Sequence, residues 1–155
     1  MIRDIIVKIV NLLTNYRDII RYLSINKYHH NIKNHIVFTL PVDLNKIQYL
    51  SYYEKFINIR IFNTPSINFP ANVKYIILDF KRILRGSLIK IIPKTVTHLT
   101  LGNKFKNLIF DDIPDNITHL TLAHNYRTFR GNISSNIIQL IIKNKSVDPK
   151  KYMET

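Results

Sequence analysis

The sequence predicts an α+β protein: a small N-terminal helical bundle followed by a short parallel β solenoid. Three observations carry that expectation. Residues 92–101 (IPKTVTHLTL) and 113–122 (IPDNITHLTL) are identical at seven of ten positions, with a start-to-start spacing of 21. Weaker copies begin at 69 (FPANVKYIIL), keeping Pro70, Asn72, Val73 and Leu78, and at 133 (ISSNIIQLII), keeping Asn136, Ile137 and Leu140. The first 36 residues instead carry apolar side chains at steps of three and four, the period of a helix.

The repeated units start at 69, 92, 113 and 133, so they are 23, 21 and 20 residues apart, at the short end of the leucine-rich range. Their cores VKYIIL, VTHLTL, ITHLTL and IIQLII read apolar, two variable, apolar, variable, apolar. The last four positions alternate, as a short strand with one buried face requires. Pro93 and Pro114 ahead of the cores lack an N–H and break any helix, so each unit opens on an extended or turning segment. One such strand cannot bury its apolar face alone. Stacking the units in parallel, about 4.8 Å apart, makes a continuous core. Phe105 and Tyr126, at equivalent places after the strands, are expected to plug the return segment.

Upstream, Ile5, Ile6, Ile9, Leu12 and Leu13 form one helical face, with Arg3, Asp4, Lys8 and Asn11 opposite. Thr14–Asn15 marks a break, and Asp18 caps or lies early in a second helix holding Ile19, Ile20 and Leu23. Tyr28, Ile32 and Ile36 step by four through a third. Three such helices make too small a core to stand alone, so they must pack on the solenoid or on a partner. The organisation is therefore a helical segment over 1–45, a connecting segment over 46–68, repeats over 69–145 and a polar tail over 146–155. Within the connection, residues 56–61 read as a first solenoid strand, and Asn63–Thr64–Pro65 as a turn.

Composition bounds the function. With 155 residues, 46% hydrophobic and 21% charged, the chain is globular and about one domain long. Zero cysteines exclude disulfides, thiolate metal sites and thiol catalysis. No run of eighteen apolar residues exists, and Asp4 and Lys8 interrupt the apolar start, so neither a membrane span nor a signal peptide is expected. The chain reads as soluble and intracellular, with no membrane partner. Its 23 Lys and Arg against 10 Asp and Glu give a net charge of +13, which would attract phosphate backbones. The same excess, with 28 Ile, 17 Asn and only 3 Gly, is also what an AT-rich genome writes into any protein.

Motifs for catalysis are missing: there is no Gly-rich phosphate loop, no Gly-x-Ser-x-Gly and no His-Glu-x-x-His. His98 and His119 sit one repeat apart and, with His124, could be imagined around a metal, but they occupy a repeat position where the solenoid itself explains them. His29, His30 and His35 cluster without a nearby carboxylate, and Asp111, Asp112 and Asp115 flank a turn, where carboxylates commonly cap. A non-enzymatic scaffold without cofactor or metal is expected.

The run Pro–x–x–Val–Thr–His–Leu–Thr–Leu–Gly–x–x–Phe at 93–105, repeated at 114–126 with Ala123 for Gly102 and Tyr126 for Phe105, resembles the FNIP repeat. That family is a relative of the leucine-rich repeats, found largely in social amoebae and giant amoeba viruses. The N-terminal residues resemble an F-box: Asp4–Ile5–Ile6, Ile9–Val10, Leu12–Leu13, Asp18–Ile19 and Leu23–Ser24–Ile25–Asn26–Lys27 fall in its register. Where that pattern opens with Leu–Pro, this chain has Ile2–Arg3. The two resemblances together imply a substrate-recognition subunit of a Skp–cullin–F-box ubiquitin ligase, in the host cytoplasm if viral. Ile5, Ile6, Ile9, Leu12, Leu13, Asp18 and Leu23 would then bind the Skp-family adaptor.

The solenoid would hold the target protein. Strand alternation points Lys74, Tyr75 and Ile77 outward, then Thr97, His98 and Thr100, then Thr118, His119 and Thr121, and finally Ile138, Gln139 and Ile141. Two other readings stand beside this one. A basic repeat module could bind nucleic acid, with net +8 over residues 69–145 from 12 basic and 4 acidic residues. A degenerate family member could have kept no partner.

Overall fold

The computed structural model describes residues 2–62, 68–79, 92–102, 107–122, 128–142 and 145–149. It begins with three helices, α1 (Ile2–Leu12), α2 (Tyr16–Leu23) and α3 (Lys27–Ile32), the last followed by one 3-10 turn at Lys33–His35. Asn15 caps α2: its side chain accepts the Asp18 N–H at 2.9 Å and in return donates to the Asp18 carboxylate. Asn26 does the same for α3 through the His29 N–H at 2.9 Å. These two caps set the helix boundaries.

The third helix is shorter than its four-residue stepping predicts. Ile36 is extended and buried, while Tyr28 is exposed, so the two do not share a face. The cause is tertiary: Phe38 pairs with Phe56 in a parallel bridge, drawing the chain into the sheet just after Ile36. The sheet therefore starts inside the segment predicted as helical, with β1 (Val42–Asp43), followed by α4 (Leu44–Ile47), a 3-10 turn (Tyr53–Lys55) and β2 (Asn58–Ile61).

Then come β3 (Tyr75–Leu78), β4 (His98–Leu101), β5 (Asn107–Ile109), β6 (His119–Leu122), β7 (Thr128–Arg130), β8 (Gln139–Ile142) and β9 (Lys145–Val147). The main sheet has the order β1-β2-β3-β4-β6-β8-β9, parallel except for the antiparallel β8–β9 pair. Six parallel strands span roughly 24 Å, more than the four or five predicted. β9 overruns the start of the predicted polar tail and closes the last coil with an antiparallel return. A second, two-stranded sheet of β5 and β7 lines the return side, where no strands were predicted. Phe105 and Tyr126, the Asn63–Thr64–Pro65 turn and residues 150–155 lie outside the described residues.

The solenoid follows from its register. Ile59 pairs with Ile76, Ile76 with Leu99, Leu99 with Leu120 and Leu120 with Leu140. Flanking this column are two others, Phe56–Val73–Val96–Ile117–Ile137 and Ile61–Leu78–Leu101–Leu122, and every member is at most 2% exposed. Burying each such side chain stabilises the fold by roughly 1.5–3 kcal/mol. Each coil opens on the same turn: the N–H of Val73, Val96, Ile117 and Ile137 donates to the carbonyl three residues earlier, on Pro70, Pro93, Pro114 and Ser134. The carbonyls of Ile57, Lys74, Thr97 and Thr118 each accept two N–H groups from the next coil.

The helices do not stand alone. Tyr16, at the start of α2, lies 5.7 Å from Phe56 and 6.3 Å from Phe38, which stack on each other at 4.5 Å. Ile6, Val10, Ile19, Leu23 and Ile32 join the same continuous core as the solenoid. Burial, followed by the neighbouring Tyr52, pushes the Tyr16 phenol far above its ordinary value. No polar or charged residue is buried among the described residues.

Candidate functional site

Two surfaces are candidates, the outward face of the main sheet and the outer side of α1. On the sheet, hydrophobic residues turn inward at every second position, so Tyr75, Ile77, His98, Thr100, His119, Thr121, Gln139 and Ile141 turn outward, as alternation predicts. Lys74, Thr97, Thr118 and Ile138 form a further outward column, with Ile138 70% exposed. The face extends one strand beyond the predicted row, because Asn58 and Arg60 on β2 pair with Tyr75 and Ile77. The same apolar spacing at Phe56, Ile59 and Ile61 was the signal for it.

The rings of this face form a stack. His98 lies parallel to His119, with centroids 4.0 Å apart and planes at 11°, and Tyr75 covers the other side of His98 at 4.3 Å. Within each strand the preceding threonine fixes the imidazole: Thr97 Oγ1 is 2.8 Å from His98 Nδ1, and Thr118 Oγ1 is 2.8 Å from His119 Nδ1. The Thr118 hydroxyl also donates to the Thr97 carbonyl at 3.3 Å. Burial, and next the charge of His119, hold the His98 pKa below its ordinary value.

This geometry bears on metal binding. The rings are stacked and near-parallel, whereas one zinc ion about 2.0–2.1 Å from a nitrogen of each would need the two to converge on it. His124 lies outside the described residues, among which no group of three metal-ligating side chains occurs. Of the other histidines, His29 is absorbed in the α3 cap, its Nδ1 2.8 Å from Asn26 Oδ1. The predicted turn residues make packing and backbone contacts. Asp111 sits against the Cα of Gly131, whose φ is +76°, and the Asp115 carbonyl accepts a bond from the Asn136 side chain at 3.0 Å.

Those asparagines are what composition concealed. Asn116 Nδ2 donates to the Val96 carbonyl at 2.6 Å and lies 3.3 Å from that of Pro93, one coil earlier, and Asn58 reaches the Thr39 carbonyl at 3.0 Å. They tie neighbouring coils together at their turns. Their recurrence just before the inward column was visible in Asn72–Val73, Asn116–Ile117 and Asn136–Ile137, but a high overall asparagine content hides the role.

The second surface is α1. It buries Ile6 and Val10, while Ile2, Ile5 and Leu12 remain 62%, 52% and 79% exposed. Ile9 and Leu13 are half-buried, Leu23 is in the core, and Asp18 is held in its capping bonds. The residues predicted to meet an adaptor are thus divided: Ile5, Leu12 and part of Ile9 face outward, and Ile6 and Leu23 hold the bundle to the solenoid.

A parallel β solenoid with a short helical region at its N-terminal end and an unbroken outward sheet face fits a repeat-type protein-interaction module. Comparison with known families gives the same answer, since an FNIP repeat is found at residues 62–104, across β3 and β4. The second near-identical copy at 113–122 falls beyond that match. No curated protein and no solved structure matches the chain. Among the described residues no helix is long and apolar enough to cross a membrane.

Proposed function

We propose that the protein is a non-enzymatic adaptor with two docking faces: α1 for a Skp-family adaptor of a cullin–RING ubiquitin ligase, and the sheet face for a target protein. The observation that carries this reading is the breadth of the apolar face of α1, only part of which is buried against the core. A helix that only had to pack on the solenoid would need Ile6 and Val10; exposed Ile2, Ile5 and Leu12 add nothing to that core. The F-box resemblance of residues 4–27 supplies the partner's identity, and an F-box beside FNIP-type repeats supplies the leucine-rich-like target subunit. Ligation itself would belong to other subunits, with this chain contributing proximity.

The rings on the sheet favour a protein over nucleic acid as the target. His98 is sandwiched between Tyr75 and His119, so the rings of this face stack mainly on one another rather than spreading as a row of separate platforms for bases. The test is co-purification of the full chain with a Skp-family adaptor. Binding by the native chain, lost in Ile5→Asp/Leu12→Asp at unchanged circular dichroism, supports the proposal. No binding by the native chain removes the ligase role and leaves the interaction module.

A further inference from the structure

The sheet face is chemically one-sided. Its outward strand positions from β2 to β8 carry Arg60, Lys74 and the two imidazoles, and the one carboxylate on that phase, Asp79, lies past the end of β3 beside Gly102. Apolar residues bracket the polar centre, Tyr75 and Ile77 on β3 and Ile138 and Ile141 on β8. The threonine contacts to Nδ1 leave the Nε2 atoms of His98 and His119 without a partner among the described residues. The two stacked rings, centroids 4.0 Å apart, make a pair of adjacent hydrogen-bonding positions.

We propose that this face binds an extended acidic peptide segment running across the strands, its carboxylates meeting the His98–His119 edges and Lys74, with binding tightened by protonation of the histidine pair. This rests on the sheet being the target-binding face and adds the chemistry of the target. The groups facing the pair are few: Lys74 and Tyr75 from β3 on one side, and uncharged Gln139 from β8 on the other. Lys74 lies near and Asp79 sits at the far end of the strands beside Gly102, while burial, and next the charge of His119, disfavour the His98 imidazolium. An aligned carboxylate supplies the missing counter-charge, so binding and proton uptake assist each other.

The probe is a fluorescein-labelled octaglutamate peptide, followed by anisotropy against the full chain at pH 7.5 and 5.5, where its side chains stay largely ionised. Binding is expected to tighten about fivefold on acidification, the scale of one partly exposed ion pair. His98→Gln/His119→Gln should lose that gain, binding no tighter at pH 5.5 than at pH 7.5. Exposed Lys74→Gln should weaken binding at both pH values and keep the ratio. Absence of octaglutamate binding, pH-independent binding, an unchanged gain in the histidine variant, or equal pH-dependent binding of an octathymidylate overturns the proposal. Any of these leaves adaptor binding through α1, and capture of a non-acidic target on the sheet, as separate outcomes of the co-purification assay.

Discussion

Leu99 and Leu120 are register partners on neighbouring parallel strands, each 1% exposed, one repeat apart in sequence and side by side in the core. Their contact is the physical meaning of the repeat: each copy supplies half of an interface that the next completes. Leu99→Ala or Leu120→Ala should cost about 2–5 kcal/mol, the range for truncating a buried leucine. A urea-unfolding double-mutant cycle should return a coupling above roughly 0.5 kcal/mol, because the two share one cavity. Additive losses would mean that the coils do not touch there.

Asn116 should matter more than its surface chemistry implies. Asn116→Ala removes a 2.6 Å bond to the Val96 carbonyl and the weaker one to Pro93. A loss of about 1–2 kcal/mol is expected in chemical denaturation. Asn136→Ala, with one exposed bond of 3.0 Å, should lose less. Equal and negligible losses would show that water replaces both bonds.

The repeat period, the inward columns and the outward row were legible in the sequence, because Leu99, Leu101, Leu120 and Leu122 alternate with threonine and histidine inside two near-identical runs. The start of the sheet was not. β1 has two residues, its upstream neighbour Phe38 makes only an isolated bridge, and Pro41 interrupts any alternation. Their place is fixed by aromatic packing against Phe56, a contact 18 residues away in sequence. Division of the α1 residues escaped for a related reason. The apolar face of α1 is broader than the strip the solenoid covers, so Ile5 and Ile6 looked equivalent until the solenoid selected Ile6.

That division has a direct consequence. Ile6→Asp or Val10→Asp places a charge in the core and should unfold the helical region, since a buried, unpaired carboxylate costs several kcal/mol. Ile5→Asp and Leu12→Asp should shift the thermal midpoint little. Similar midpoints for both pairs would contradict the orientation of α1.

The two glycines with close neighbours differ in kind. A Cβ on Gly102 would lie 2.6 Å from Asp79 Oδ1 and 3.0 Å from the Leu78 carbonyl, a steric problem that Asp79→Ala should partly relieve. Gly131 combines the Asp111 carboxylate with φ +76°, so Asp111→Ala should not rescue Gly131→Ala, which keeps a left-handed cost of about 1 kcal/mol or more. Full rescue at both positions would show that neither backbone is constrained.

Stability should fall on acidification through His98. Its folded pKa lies below the ordinary 6.5, so the unfolded chain takes up the proton first. The stabilisation is complete above about pH 6.5 and is lost as the pH drops from there towards the folded value. His98→Gln should flatten the denaturation midpoint between pH 7.5 and 5.5 relative to the native chain. An unchanged slope would assign the titration elsewhere.

The native chain contains no cysteine, which allows the stacking of the coils to be read covalently. Thr100 and Thr121 are outward register partners on β4 and β6, about 4.8 Å apart, within disulfide reach, whereas Ile77 and Thr121 are separated by β4. Thr100→Cys/Thr121→Cys should form an intramolecular disulfide on mild oxidation, and Ile77→Cys/Thr121→Cys should not. A bond in the second pair, or none in the first, would contradict the solenoid.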